Sequence, residues 1–258
     1  MWNKIIYKLN GKGLLCIAVL NILYLAKLAK EYFASFGGEI PVNVTGYFIL
    51  ALSEKYFLTF MIPLSILYMI SAVNRRRQLE VIRYESKGAW TEYVMTAGAV
   101  CCAAYFAFLL AALIVVAWVS GMDFSNLKAP CTGMEMLLYD ILQAGAEVNM
   151  VWLALSNILN AFCYCITIMM LYLCVFSIVR RRSMTWLLAS ALLVVNLTVV
   201  KLMWRSFYPY TFLGNVVLNV SYDRWNTGLN WGYWGIVNLA MVVITLACNK
   251  KREISHDE

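Results

Sequence analysis

The chain has 258 residues, of which 62% are hydrophobic and 14% charged, with a formal net charge of +7. Soluble domains run at about 45–50% apolar and about 25% charged, so this composition excludes an ordinary soluble enzyme or nucleic-acid-binding module and reads as an all-α integral membrane protein. Each span needs about 20 mostly apolar residues, so six spans leave only short loops, and any large energy-coupling domain is expected on another polypeptide.

Residues 1–13 place Trp2, Ile5, Ile6 and Leu9 near one helical face and Lys4, Lys8 and Lys12 elsewhere, an amphipathic N-terminal element suited to the inner membrane surface. A first span is expected over residues 14–33, with Lys27 and Glu31 four apart and able to pair near its outer end. Gly37, Gly38 and Pro41 break the helix, and residues 35–55 read as a first outer loop. The second span is expected over 56–73, kinked at Pro63 because proline removes a backbone donor in mid-helix.

Asn74 to Trp90, NRRRQLEVIRYESKGAW, is the longest strongly charged run between apolar segments. Written as a helix, it puts Leu79, Ile82, Ser86, Ala89, Trp90 and Tyr93 on one stripe and Arg76, Glu80, Arg83 and Lys87 on another. Retention of positive charge at the inner surface accounts for a basic loop. It does not account for Glu80, Glu85 or the apolar stripe.

A third span over 93–119 leads into an outer connection, residues 120–149, where Thr132 and Glu135 fit a capping box. The fourth span, 151–179, carries Asn157 and Asn160, and the fifth, 184–204, carries Asn196. Intramembrane asparagine usually bonds a neighbouring helix, so packing bonds compete with a place for these three on a translocation path. Arg180, Arg181 and Arg182 mark a tight inner turn. Residues 205–230 are too apolar for water and too interrupted by Pro209, Gly214 and Gly228 to cross as one helix, which predicts a re-entrant or interface-lying hairpin. A sixth span follows over 229–248, near an aromatic belt of Trp225, Trp231, Tyr233 and Trp234.

With the N-terminus, the 74–92 loop, the 180–183 turn and the tail inside, the inner side carries a net +8 and the rest −1, which predicts cytoplasmic N- and C-termini. The whole of 1–258 is then a single transmembrane domain. Of eight cysteines only Cys131 sits in a clear loop, so no disulfide framework is indicated, and His256 is the one histidine, which argues against a metal site. The chain has no GxxxxGK[ST], GxSxG or HExxH motif, so neither nucleotide hydrolysis nor one of these familiar hydrolytic chemistries is expected on it. Secondary transport wants ionisable residues at the bilayer midplane, and Lys27, Glu31 and Lys201 read as too close to span ends.

Six spans with both ends inside, the charged helix after span two, the broken hairpin after span five, and Ile82, Arg83, Tyr84, Ser86, Lys87 and Trp90 together resemble ABC-2-type permeases. The look is that of the small Gram-positive exporters of peptides and bacteriocins, including antimicrobial and phenol-soluble-modulin-type peptides. The resemblance implies a coupling helix that docks on a separate ABC ATPase subunit, with Arg76, Arg77, Glu80, Arg83 and Lys87 making the contact and Tyr84 and Trp90 as apolar anchors. It further implies a bacterial cell-membrane location, a second permease copy or a homologous one, and an amphipathic peptide as cargo. ATP and Mg would then sit on the partner ATPase, with no cofactor on this chain.

The residues leave a reading of another class beside it: a non-transporting immunity or sensor subunit whose basic loop recruits a cytosolic partner or anionic membrane lipid.

Overall fold

The computed structural model describes residues 10–36, 43–74, 87–125, 127, 150–202, 205–217 and 227–250. In chain order its helices are α1 (Gly11–Phe36), α2 (Val44–Ser53), a π turn (Phe57–Met61) running into α3 (Ile62–Val73), α4 (Lys87–Val119), α5 (Met150–Val179), α6 (Arg182–Lys201), a 3-10 segment (Arg205–Tyr210), α7 (Phe212–Val216) and α8 (Thr227–Lys250). Five of them, α1, α4, α5, α6 and α8, are long and apolar enough to cross a membrane. A sixth span results if α2 and Phe57–Val73, bent by 58°, count as one. This is the architecture of a multi-pass membrane protein.

A helix that is apolar on every face has to be buried, and α5 is the most buried of the spanning helices. It packs against α2, α3, α4, α6, α7 and α8. Around it the outward faces stay apolar: Trp118 on α4 is 73% exposed and Ile236 on α8 is 72% exposed. Such faces suit hydrocarbon rather than water.

The second span departs from the expected boundaries. Residues 35–55 were expected to be a loop, yet Val44–Ser53 is helical. Asn43 caps it, its side chain accepting from the Thr45 amide at 2.7 Å. The run VTGYFILALS is apolar enough to pack on α1 and α5, and Tyr47 donates to the Leu25 carbonyl of α1 at 2.9 Å. What reads as the end of a loop in sequence, Glu54-Lys55, is a break inside a longer bent element.

Glu54 organises that break. It terminates α2 with an extended backbone, and its Oε2 accepts from the Phe57 amide at 2.6 Å, capping the helix that follows. The π turn comes next, its register set by Ile62 N–H donating to the Phe57 carbonyl. The Leu58 carbonyl is thereby left without its usual donor, because the next amide along belongs to Pro63, which has no N–H. Tyr164 of α5 supplies one, its hydroxyl donating to Leu58 O at 2.9 Å.

The remaining boundaries differ modestly. The third span, expected to begin at residue 93, starts six residues earlier at Lys87 and takes Trp90 into the bundle. Between Val179 and Arg182 the turn is very short, with Arg180 at φ 62°, the left-handed conformation that closes many helices. After α6 the chain doubles back: Tyr208 donates to the Val200 carbonyl at 3.2 Å, and the Phe212 amide donates to Asn196 Oδ1 at 2.7 Å. Beyond α4, the Asp123 carboxylate is held below its ordinary pKa by the Ser125 hydroxyl and amide. The expected N-terminal amphipathic element at residues 1–9, the capping box at Thr132 and Glu135, and residues 218–226 of the hairpin lie outside the described residues.

Candidate functional site

Of the expected coupling residues, Arg76, Arg77, Glu80, Arg83 and Tyr84 lie outside the described residues, as does the side chain of Lys87. The two stems that hold this loop are described. Asn74 closes α3, its amide donating to the Ile70 carbonyl at 2.8 Å, and is buried. On the other stem Trp90 is 5% exposed and tilted against Tyr93 at 5.6 Å. Its indole is thus packed within this chain.

Both stems line one small cavity of about 20 Å³, together with Thr91, Ser177, Thr245 and Asn249. That is room for a single water. Asn74 is buried there, its side chain within hydrogen-bonding reach of the Tyr172 hydroxyl of α5. Asn249 Nδ2 of α8 donates to Thr91 Oγ1 of α4 at 3.1 Å. Thus α3, α4, α5 and α8 meet in one polar joint directly at the base of the charged loop. We refer to this as the loop end of the bundle, and to the opposite end, where the Val44 amide donates to the Asp123 carbonyl at 3.2 Å, as the far end.

The three asparagines do not share partners. Asn157 Nδ2 donates to Ile49 O at 3.2 Å and to Ser53 Oγ at 3.1 Å, fastening α2 to α5. Asn160 is buried on the same helix, and its Oδ1, like that of Asn157, has no partner among the described residues. Asn196 serves α6 and α7 instead, donating to Leu192 O at 2.8 Å while accepting from Phe212. Asn157 and Asn196 therefore make packing bonds.

No known protein family, curated protein or solved structure matches this chain.

A second polar cluster was not singled out from the sequence. Tyr105 of α4 donates to Asn21 Oδ1 of α1 at 3.0 Å, and Asn21 Nδ2 donates to Ser65 Oγ of α3 at 3.1 Å. The three residues are buried. Asn21 was legible as an asparagine within an apolar span; its partners were not, since they depend on how three helices meet. Glu54 is likewise not legible as a helix-capping carboxylate, because residues 35–55 read as a loop. Besides Phe57 N–H it accepts from the Tyr24 hydroxyl at 2.9 Å. Two donors on one oxygen describe a helix cap. Among the described residues no group of three His, Cys, Asp or Glu is placed to hold a metal ion.

Proposed function

We propose that this chain is the transmembrane subunit of an ATP-driven ABC exporter that moves amphipathic or hydrophobic peptides out of the cell. The observation that carries the reading is the joint at the loop end. A force applied to residues 75–86 passes through Asn74 and Trp90 into a cavity shared by α3, α4, α5 and α8. Packed bundles have discrete alternative arrangements, so a push at one joint can shift several helices together. The resemblance of Ile82 to Trp90 to coupling helices of ABC-2-type permeases supplies the partner, an ABC ATPase bound at the loop end.

In this reading Arg76, Arg77, Glu80, Arg83 and Lys87 contact the ATPase, and Trp90 transmits the contact inward from its buried position. Cargo passes between two permease copies, identical or homologous, in a bacterial cell membrane with both termini cytoplasmic. Glu54 acts as a structural cap, which disfavours proton-coupled transport through it. The reading is tested by charge reversal: Glu80→Arg with Arg83→Glu is expected to abolish ATP-dependent peptide export while membrane insertion is unchanged. Export at the normal rate would overturn it.

The concentration of Arg75, Arg76, Arg77, Arg83 and Lys87 favours a second reading, a non-transporting immunity or sensor subunit that recruits a cytosolic partner or anionic lipid. That protein would purify without an ATPase and would move no peptide in reconstituted vesicles supplied with ATP.

A further inference from the structure

At the far end, two ammonium groups from different helices converge on one ring. Lys55, which follows the Glu54 break, holds its Nζ 5.7 Å from the Tyr56 ring centroid, and Lys201, the last residue of α6, holds its Nζ 4.8 Å from the same centroid. Each distance suits a cation–π contact, but two positive charges on one ring also repel each other. Neither amine makes an ion pair among the described residues. The adjacent Glu54 carboxylate accepts from Tyr24 and Phe57 through one oxygen and keeps its charge, so the two amines and this carboxylate together leave a net +1. Lys27 differs, since Glu31 lies 3.3 Å away.

Depth identifies what can approach this pair. Helix α6 has 20 residues, about 30 Å, which is the thickness of the hydrocarbon layer. Lys201 at its end therefore lies at headgroup level, and Lys55 lies there with it. Below the amines the same bent element shows one outward stripe, Tyr56, Phe60 and Leu64, which are 37%, 46% and 42% exposed while Phe57, Leu58 and Ile62 between them are fully buried. The stripe runs from the lysines into the hydrocarbon region.

We propose that Lys55 and Lys201 form a binding site for the phosphate of an anionic phospholipid, whose acyl chain lies along Tyr56, Phe60 and Leu64. The occupant follows from charge complementarity and from position. Two cations against the one adjacent carboxylate leave net positive charge at headgroup depth that attracts a phosphate, and an apolar stripe starting beneath them accepts the chain attached to it. A zwitterionic lipid offers the same chain without net charge. Free phosphate offers the charge without the chain. Binding there would clamp α6 to the break in the second span, because the two lysines belong to those two elements.

The test is native mass spectrometry of the intact, detergent-solubilised protein titrated with phosphatidylglycerol, with phosphatidylcholine of the same chains, and with inorganic phosphate. The wild type is expected to retain phosphatidylglycerol preferentially. The Lys55→Gln/Lys201→Gln double variant should lose that preference, by about tenfold in apparent affinity. Lys27→Gln should leave it in place, and Lys55→Arg/Lys201→Arg should keep it, which separates loss of charge from a folding defect. The proposal is overturned if phosphatidylcholine or inorganic phosphate binds as well as phosphatidylglycerol, if the glutamine variant is unaffected, or if the arginine variant loses binding equally.

Discussion

Tyr164 donates its hydroxyl to the Leu58 carbonyl at 2.9 Å, joining the centre of α5 to the π turn of the broken second span. The bond is explained by Pro63, whose missing N–H leaves that carbonyl unserved. Tyr164→Phe should therefore lower stability by about 1–3 kcal/mol, the cost of an orphaned buried acceptor, read as thermal unfolding in detergent. Pro63→Ala restores a backbone donor, so in that background the same tyrosine change should cost clearly less. An undiminished cost would show that Pro63 is not the cause.

The Tyr105–Asn21–Ser65 chain gives an ordered set of effects. Ser65 also donates to the Met61 carbonyl at 2.8 Å, and its side chain lies within hydrogen-bonding reach of the Tyr105 hydroxyl as well as of Asn21. Tyr105→Phe alone should cost about 0.6 kcal/mol, an ordinary intramembrane hydrogen bond. Asn21→Ala should cost more, since it removes both the bond to Tyr105 and the bond to Ser65. Adding Tyr105→Phe to Asn21→Ala should then cost less than Tyr105→Phe does alone. A double-mutant cycle by thermal unfolding measures this directly.

Arg180 sits at φ 62° in the turn between α5 and α6. A β-branched side chain is strained there, so Arg180→Val should destabilise by about 1–2 kcal/mol. Arg180→Gly, free of that strain, should be no less stable than Arg180→Ala. Equal stability of all three variants would remove backbone strain as a factor in the turn.

The joint at the loop end separates docking from transmission. Thr91→Val and Asn249→Leu remove the bond between α4 and α8 without touching the charged loop. In the proposed exporter both variants should still bind the ATPase but should export peptide several-fold more slowly for each ATP hydrolysed. Reconstituted vesicles assayed for hydrolysis and transport together distinguish this from a loss of binding, which would place the effect at the docking surface.

The apolar runs made the spanning helices legible, because a stretch such as residues 151–179 can only be buried or cross a membrane. Helix α5 accordingly falls within one residue of its expected start. The Lys27–Glu31 pair was legible for the same local reason, a spacing of four on one helix. The bent second span was not. Glu54 and Lys55 look like loop residues until it is known that the glutamate caps one half-helix and the lysine faces Tyr56. Trp90 reads in sequence as part of the charged loop, but the helix that carries it begins at Lys87 and is the third span, so the indole is buried in the bundle. The joint of Asn74, Thr91 and Asn249 joins residues up to 175 positions apart in sequence, and no periodicity could bring them together.

The most direct test of the proposed function is affinity purification of the full chain from its native membrane, with mass-spectrometric identification of what accompanies it. The account predicts an ABC ATPase in near-stoichiometric amount, lost from the Glu80→Arg/Arg83→Glu variant although that variant inserts normally. Purification of the wild-type chain without any ATPase, or full retention of the ATPase by the variant, would contradict it.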